Sequence, residues 1–365
     1  MKKIVHVFIS FVMLAMLMTA CSPAPKAPAA TETIAPQPSA TLEPSATPKP
    51  TAAPLPQGDL ITPQNAAQLV KIGEIPSGMI FSLRWSLDGS VFWVVTESGA
   101  TLYNSRTLET IAAYIPAAGT QVLDASADGK TLALTSDMRS IALFDARANQ
   151  ATVSFTPTAS FGSVEFSPDG RKLLTTSQEA WEVTLWDTTS GQVLDVLTGF
   201  ETAAPIYSAH FTSDGNGILW IARGTLQPMD IPSKLLAQAI QHEDFIVDSV
   251  VMPDRRYILS AAAGTVKGVF TPLVKVSAWQ ATSTKLLTQI VVTNPISALA
   301  INPSVALVAV ANADKISFWQ EEKELPVAEV PSGAPSVTAL AFSPDGHLLL
   351  AGIENGVQLW AVNPR

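Results

Sequence analysis

Four ionisable side chains recur at one position of a repeating sequence pattern and could together carry chemistry. They are Arg84, Asp124, Glu165 and His210, each two residues before a turn sequence and flanked by apolar residues. The equivalent positions further along the chain are Val250, Ala300 and Ala341. Ion pairs of Arg84 with Asp124 and of Glu165 with His210 would compensate buried charge. The same groups could instead line a polar pocket for a small ligand or ion, support hydrolysis near Asp124, Glu165 and His210, or be exposed without a role.

Sequence motifs of the common enzyme classes are missing from the chain. It has no GxSxG nucleophile motif, no HExxH zinc motif, no phosphate-binding P-loop and no cysteine–histidine metal spacing. The remaining histidines of the predicted fold, His242 and His347, are far from His210 in sequence and from each other. We therefore expect a non-enzymatic protein that needs no cofactor and no metal.

A turn of the type Ser-Pro-Asp-Gly is repeated along the chain and organises it. Ser167-Pro168-Asp169-Gly170 is typical of a tight turn, because Pro fixes φ, Asp bonds its own backbone and Gly accepts a positive φ. The positions equivalent to Asp169 are Asp88, Asp128, Asp214, Asp254, Ser304 and Asp345. Each turn is followed by a strand that ends in a bulky residue, namely Tyr103, Phe144, Trp186, Met229, Trp279, Trp319 and Trp360. Their spacing of 41, 42, 43, 50, 40 and 41 residues is that of a four-stranded propeller blade.

The repeated units resemble the WD40 repeat family over about residues 68 to 365. The resemblance rests on the Ser-Pro-Asp-Gly turns and on Trp186-Asp187, which is weakened elsewhere to pairs such as Phe144-Asp145 and Trp360-Ala361. The family's Gly-His dipeptide has no regular counterpart here. The resemblance implies an all-β, seven-bladed propeller of four-stranded antiparallel blades, in which the innermost strands line a central channel. The recurrent tryptophans Trp186, Trp279, Trp319 and Trp360 are then expected in the core between blades.

The ends of the domain are predicted to share one blade. The last unit stops five residues after Trp360, so it has only three strands of its own, and an open edge would expose unpaired backbone. The segment from Lys71 to Gly78 resembles Val327 to Gly333, the outer strand of the preceding unit and its exit loop. We expect about residues 68 to 75 to supply the missing outer strand.

The N-terminal segment reads as a bacterial lipoprotein signal peptide, residues 1–20, cleaved before Cys21. Lys2 and Lys3 precede an apolar stretch that is short for a membrane span. Cys21 is the only cysteine, and we expect it to be lipidated; the alternative is an ordinary secretory signal. Residues 21–57 are predicted to be a disordered linker, since 27 of the 36 residues from 22 to 57 are Pro, Ala, Thr or Ser. Residues 58–365 form the propeller, which is expected at the extracytoplasmic face of a cell membrane or envelope.

The charge of the chain argues against nucleic-acid partners. The formal charge is −9, and loss of Lys2 and Lys3 with a signal peptide lowers it further. Nucleic-acid binding needs a basic footprint, so the membrane is expected to be contacted only through the lipid anchor.

Long connections predict a binding patch around the fourth and fifth units, where loops of one face would adjoin. Its residues are Phe200, Glu201, Tyr207, His242, Glu243, Asp244, Lys267 and Phe270. Binding residues occur disproportionately on such loops. The preferred function is a monomeric scaffold for an unknown protein or peptide partner. The alternatives are an enzyme or small-ligand sensor that uses the channel, and an envelope-assembly module.

Overall fold

The computed structural model describes residues 54–56, 58–177, 179, 181–198, 206, 208–212, 214–222, 224–242, 245–251, 257–266, 269–280, 286–292, 296–312, 314–320, 323 and 325–362. The predicted signal peptide, Cys21 and the linker up to residue 53 lie outside these residues. A short 3-10 helix, Ala66–Gln68, precedes the first strand. None of the described residues belongs to a helix that is long and apolar enough to cross a membrane.

Twenty-nine strands follow each other along the described residues. The first thirteen are β1 Leu69–Pro76, β2 Ile80–Trp85, β3 Val91–Thr96, β4 Gly99–Asn104, β5 Thr110–Tyr114, β6 Gln121–Ala125, β7 Thr131–Thr135, β8 Ile141–Asp145, β9 Gln150–Phe155, β10 Phe161–Phe166, β11 Lys172–Ser177, β12 Glu182–Asp187 and β13 Val193–Leu197. The others are β14 Ser208–Phe211, β15 Gly217–Ala222, β16 Thr225–Asp230, β17 Leu235–Leu236, β18 Ile240–Gln241, β19 Phe245–Val251, β20 Tyr257–Val266, β21 Val269–Gln280, β22 Leu286–Val292, β23 Ile296–Ile301, β24 Val308–Asn312, β25 Lys315–Trp319, β26 Ala328–Pro331, β27 Val337–Phe342, β28 Leu348–Ile353 and β29 Gly356–Val362.

These strands form antiparallel sheets that we number along the chain. Sheets 1, 2 and 3 are β2–β5, β6–β9 and β10–β13; sheet 4 is β14–β18; sheets 5 and 6 are β19–β22 and β23–β26; sheet 7 is β27–β29 with β1. Six of them are four-stranded blades of the predicted kind, and sheet 4 has five strands. The expectation of seven four-stranded blades is therefore correct for six sheets and wrong for sheet 4.

The outer edge of sheet 4 is divided because of a proline in its third strand. Pro228 lies in β16, and its carbonyl oxygen accepts a hydrogen bond from the outward neighbour, Ala237 N. The amide position of a strand residue faces the same side as its carbonyl, so Pro228 offers that neighbour no N–H. The outer strand pairs on either side of this point, as β17 opposite Met229 and as β18 opposite Leu226.

The predicted closure of the ring is confirmed. β1 pairs antiparallel with β29, from Leu69 opposite Val362 to Pro76 opposite Gly356. Segments from the two ends of the domain thus complete sheet 7, and its otherwise open edge is covered.

The repeated turns are held by a side-chain hydroxyl and a carboxylate. In sheets 1, 3, 4 and 7 the Ser or Thr that opens the turn donates to the Asp two residues later, at 2.6–2.7 Å. Ser126 and Asp128 make the same contact in sheet 2. The glycine of each of these five turns has φ between 68° and 75°, which a side chain would disfavour. The aspartates of these five turns are therefore turn formers, as their spacing predicted.

The core lies between neighbouring sheets. One cluster joins sheets 2 and 3, where Trp186 stacks on Phe155 with ring centroids 4.6 Å apart. Similar clusters join sheets 3 and 4, 4 and 5, 6 and 7, 7 and 1, and 1 and 2. Trp319 and Trp360 are also buried, so the tryptophans whose side chains are described are core residues as expected. The side chain of Trp279 is not among those that the structure describes.

Candidate functional site

The structure brings Arg84, Asp124, Glu165 and His210 together on the first strands of sheets 1 to 4. Arg84 Nε donates to Asp124 Oδ1 at 3.1 Å, and Arg84 Nη2 lies 3.8 Å from Glu165 Oε2. His210 Nδ1 is 2.7 Å from the same Glu165 oxygen. The two predicted pairs are thus present, and Arg84 links them into one network.

Each carboxylate of this network also binds the backbone of the next sheet. Phe166 N donates to Asp124 Oδ2 at 2.8 Å, and Phe211 N donates to Glu165 Oε1 at 3.2 Å. The carboxylates are largely buried, with side-chain exposures of 4% for Asp124 and 12% for Glu165, whereas Arg84 is 40% exposed. These contacts support the interpretation as ion pairs between blades, since both carboxylates are engaged in holding neighbouring strands.

Burial and neighbouring charges shift the pKa values of the side chains in this network. The negative charge of Asp124 raises the pKa of Arg84, against the opposing effect of burial. Burial raises the pKa of Asp124, and the charge of Arg84 offsets this only in part. Burial acts on Glu165 in the same sense, but His210 and Arg84 outweigh it and lower its pKa. Arg84 is therefore a permanent cation that partly compensates two buried acids.

The two faces of the sheets differ in the connections that they carry. Connections between second and third strands, and between one sheet and the next, open on one side, which we call the loop face. The Asp-Gly turns and the third-to-fourth-strand connections open on the other, the turn face. This division follows from the antiparallel order of the strands within each sheet.

Large apolar side chains are exposed on the loop face of sheets 1 to 3. Ile115 is 83% exposed, and about half of each of the others is exposed. We call this set the apolar patch; its members are Met79, Phe81, Ile115, Met138 and Trp181. Met138 and Trp181 occupy the second-to-third-strand connections of adjacent sheets with φ of 57° and 52°. A bulky residue in this region is strained, and such strain often accompanies function.

The binding patch predicted around sheets 4 and 5 falls mostly outside the described residues. Phe200, Glu201, Tyr207, Glu243, Asp244 and Lys267 lie outside them, as does the side chain of Phe270. The described member is His242, whose Nε2 lies 2.9 Å from Oγ of the buried Ser260. The segment expected to be a long loop, from Gly264 to Pro272, continues β20 and β21 as a hairpin in which Thr265 pairs with Phe270.

The turn face is bound by the segment that precedes β1. Leu55 N donates to Arg106 O at 2.7 Å, and Ile61 N donates to Gly346 O at 3.1 Å. Nδ1 of His347 lies 2.9 Å from the carbonyl oxygen of Gly58. A cavity of about 250 Å³ remains between this segment and sheets 7 and 1. The described residues of this segment therefore cover part of the turn face.

Residues 326–360 match the model of the WD domain, G-beta repeat family. The matched segment includes β26 to β28 and ends at Trp360 in β29, so it contains the outer strand of sheet 6 and three strands of sheet 7. The matched repeat and the propeller arrangement of the sheets together support the WD40 β-propeller family for this chain. No curated protein matches it significantly over its sequence.

Two further side-chain hydrogen bonds each lie within one sheet. Trp186 Nε1 donates to Thr175 Oγ1 at 3.0 Å within sheet 3. His242, just before β19, bonds the second strand of its own sheet through Ser260. Sequence reasoning assigned His242 to a binding patch and overlooked Met138 and Trp181. The available signal for the latter two was a bulky apolar residue inside a short polar connection.

No group of three or more His, Cys, Asp or Glu side chains that could hold a metal occurs among the described residues. WD40 propellers are typically non-catalytic scaffolds that bind protein partners. The non-enzymatic role of this chain stays a prediction.

Proposed function

We propose that this WD40 propeller binds a protein or peptide partner on its loop face. The observation that carries the proposal is the apolar patch, whose five large side chains are exposed on three consecutive sheets of one face. Soluble proteins rarely leave such a surface uncovered without a binding role. The patch that the sequence predicts around sheets 4 and 5 stays a separate prediction, since most of its residues lie outside the described part of the chain.

We also propose that Cys21 is lipidated and that residues 21–57 tether the propeller outside the cytoplasm. The support is the signal-like sequence before Cys21 and the Pro- and Ala-rich composition after it. Acyl-chain labelling in cells tests the anchor: the Cys21→Ser variant should lose both the label and the membrane fraction.

Photo-cross-linking in intact cells tests the binding proposal. The loop-face variant carries Met138→Ser and Trp181→Ser, and the matched control carries Leu194→Ser and Leu235→Ser on outer strands, where the side chains are 51% and 69% exposed. A partner captured by the wild type and the control but lost from the loop-face variant supports the proposal. Equal capture by all three proteins overturns it, provided that their thermal unfolding agrees.

A further inference from the structure

Charge on the loop face is unevenly distributed, and this bears on the chemistry of the partner. In sheets 1 to 3, the described connections and strand ends of this face carry four acidic residues and one basic residue. They are Glu97, Asp137, Glu179 and Glu182, against Arg139. Hydrogen bonds from Arg139 N, Ser140 N and Ser140 Oγ lower the pKa of Asp137 to about 2, so this acid stays ionised near neutral pH.

The turn face of the same sheets does not share this imbalance. Its acidic residues are Asp88, Glu109, Asp128, Asp145, Asp169 and Asp187. Its basic residues are Arg106, Lys130, Arg147, Arg171 and Lys172. The two signs nearly cancel there, so the negative potential is concentrated on the face that exposes the apolar patch.

From this combination we infer that the partner is a cationic, apolar protein segment, in which lysines or arginines are interspersed with large aliphatic or aromatic residues. Its apolar side chains would cover Met138, Trp181 and Phe81, and its cations would lie near Glu97 and Glu179. Complementary charge at the edge of an apolar contact favours the correct partner and speeds association. This inference rests on the proposed function and specifies the ligand of the same surface.

The same charges disfavour two other occupants. An anionic membrane surface would be repelled by the acidic residues around the patch, although the apolar side chains alone could insert into lipid. A second copy of this chain would bring two acidic loop faces together, and like charges brought together at an interface cost several kcal/mol. A cationic, apolar segment would cover the exposed apolar side chains and compensate the excess negative charge.

Selection from a displayed library of random 15-residue peptides tests the inference on the full-length protein. Bound peptides are recovered on the wild type and counter-selected on the Met138→Ser/Trp181→Ser variant. We expect the loop-face-dependent peptides to carry net positive charge with several large apolar residues. Their affinity should fall on the order of tenfold between low and moderate salt, because exposed charge pairs are screened.

Two charge variants sharpen the test. Glu97→Gln and Glu179→Gln should each weaken a selected peptide by about two- to fivefold, the range of exposed ion pairs. The Leu194→Ser/Leu235→Ser control should bind as the wild type does. Peptides that depend on the loop face but are neutral or acidic would overturn the cationic inference and leave the proposed function standing. Failure to select any peptide that distinguishes the wild type from the loop-face variant would count against both.

Discussion

The central network predicts a measurable stability defect when Asp124 is replaced by alanine. The substitution leaves Phe166 N, which donates to Asp124 Oδ2 at 2.8 Å, without its acceptor. An unsatisfied buried donor costs about 1–3 kcal/mol. It also removes the main partner of Arg84, and breaking a fully buried ion pair costs about 3–5 kcal/mol. Since the Arg84 side chain is 40% exposed, water replaces part of that interaction.

We therefore expect Asp124→Ala to lower the free energy of unfolding by about 3 kcal/mol. Unfolding entropy near 60 °C is about 2.1 cal/mol/K per residue, or about 0.6 kcal/mol/K for a domain of about 300 residues. The melting temperature should fall by about 5 °C. Calorimetry and urea unfolding of the purified protein measure both quantities, and Asp124→Asn should recover part of the loss because an amide oxygen can still accept from Phe166 N.

A double-mutant cycle separates the ion pair from the backbone contact. Arg84→Ala alone should also destabilise the protein, because it leaves the buried carboxylates of Asp124 and Glu165 without their compensating cation. The coupling energy of the two substitutions should lie within about 0.5–3 kcal/mol. A loss below about 1 kcal/mol for Asp124→Ala, or strict additivity in the cycle, would refute the view that this network joins the first strands of sheets 1 to 3.

Three further predictions concern the connections between strands and the segment before β1. Gly346→Ala should destabilise the protein more than Gly119→Ala in thermal unfolding. Both glycines have positive φ, but an added Cβ at Gly346 meets Asn302 Oδ1 at 2.4 Å, whereas an added Cβ at Gly119 meets no atom within 4 Å. Ile61→Ala should cost about 2–5 kcal/mol by urea unfolding, because Ile61 is fully buried although it precedes the first strand. Local hydrogen bonds lower the pKa of Asp88 and Asp137 to about 2, so the folded state binds fewer protons than the unfolded state. The free energy of unfolding should therefore decrease as pH falls from about 4 towards 2. Asp88→Asn should make this decrease smaller, and an unchanged pH profile of the variant would contradict the prediction.

The repeated Asp-Gly turn made the propeller fold predictable from the sequence. The turn at Asp169-Gly170 and its copies fixed the period, and the three-stranded last unit required a strand from the other end, which β1 supplies. The split outer strand of sheet 4 was not foreseen, because the effect of Pro228 depends on which neighbour its missing N–H would face. The alignment of equivalent positions also placed Arg84 beside Asp124, since residues at one level of adjacent inner strands must be neighbours.

The apolar patch was harder to predict because a sequence does not report exposure. Trp186 and Trp181 are only five residues apart, yet one is 5% exposed in the core between sheets and the other 43% exposed on the loop face. Trp186 falls at the repeat period, whereas Trp181 falls outside it within a short polar connection, and these two signals separate them. A large residue that breaks the period within a connection is therefore a candidate for a surface role rather than for packing.

The two faces have separable tasks, and this separation is what makes the proposed function testable. The turn face carries the hydroxyl–carboxylate turns and the contacts of Gly58 and Ile61, so substitutions there should act through stability. Met138 and Trp181 are 42% and 43% exposed, so truncating them removes some packing as well as exposed area, and the melting temperature must be measured beside binding. Both residues are held at positive φ, where serine is no better accommodated than the native side chain. A loss of partner binding in the loop-face variant with an unchanged melting temperature therefore reports on the surface itself and not on the fold beneath it.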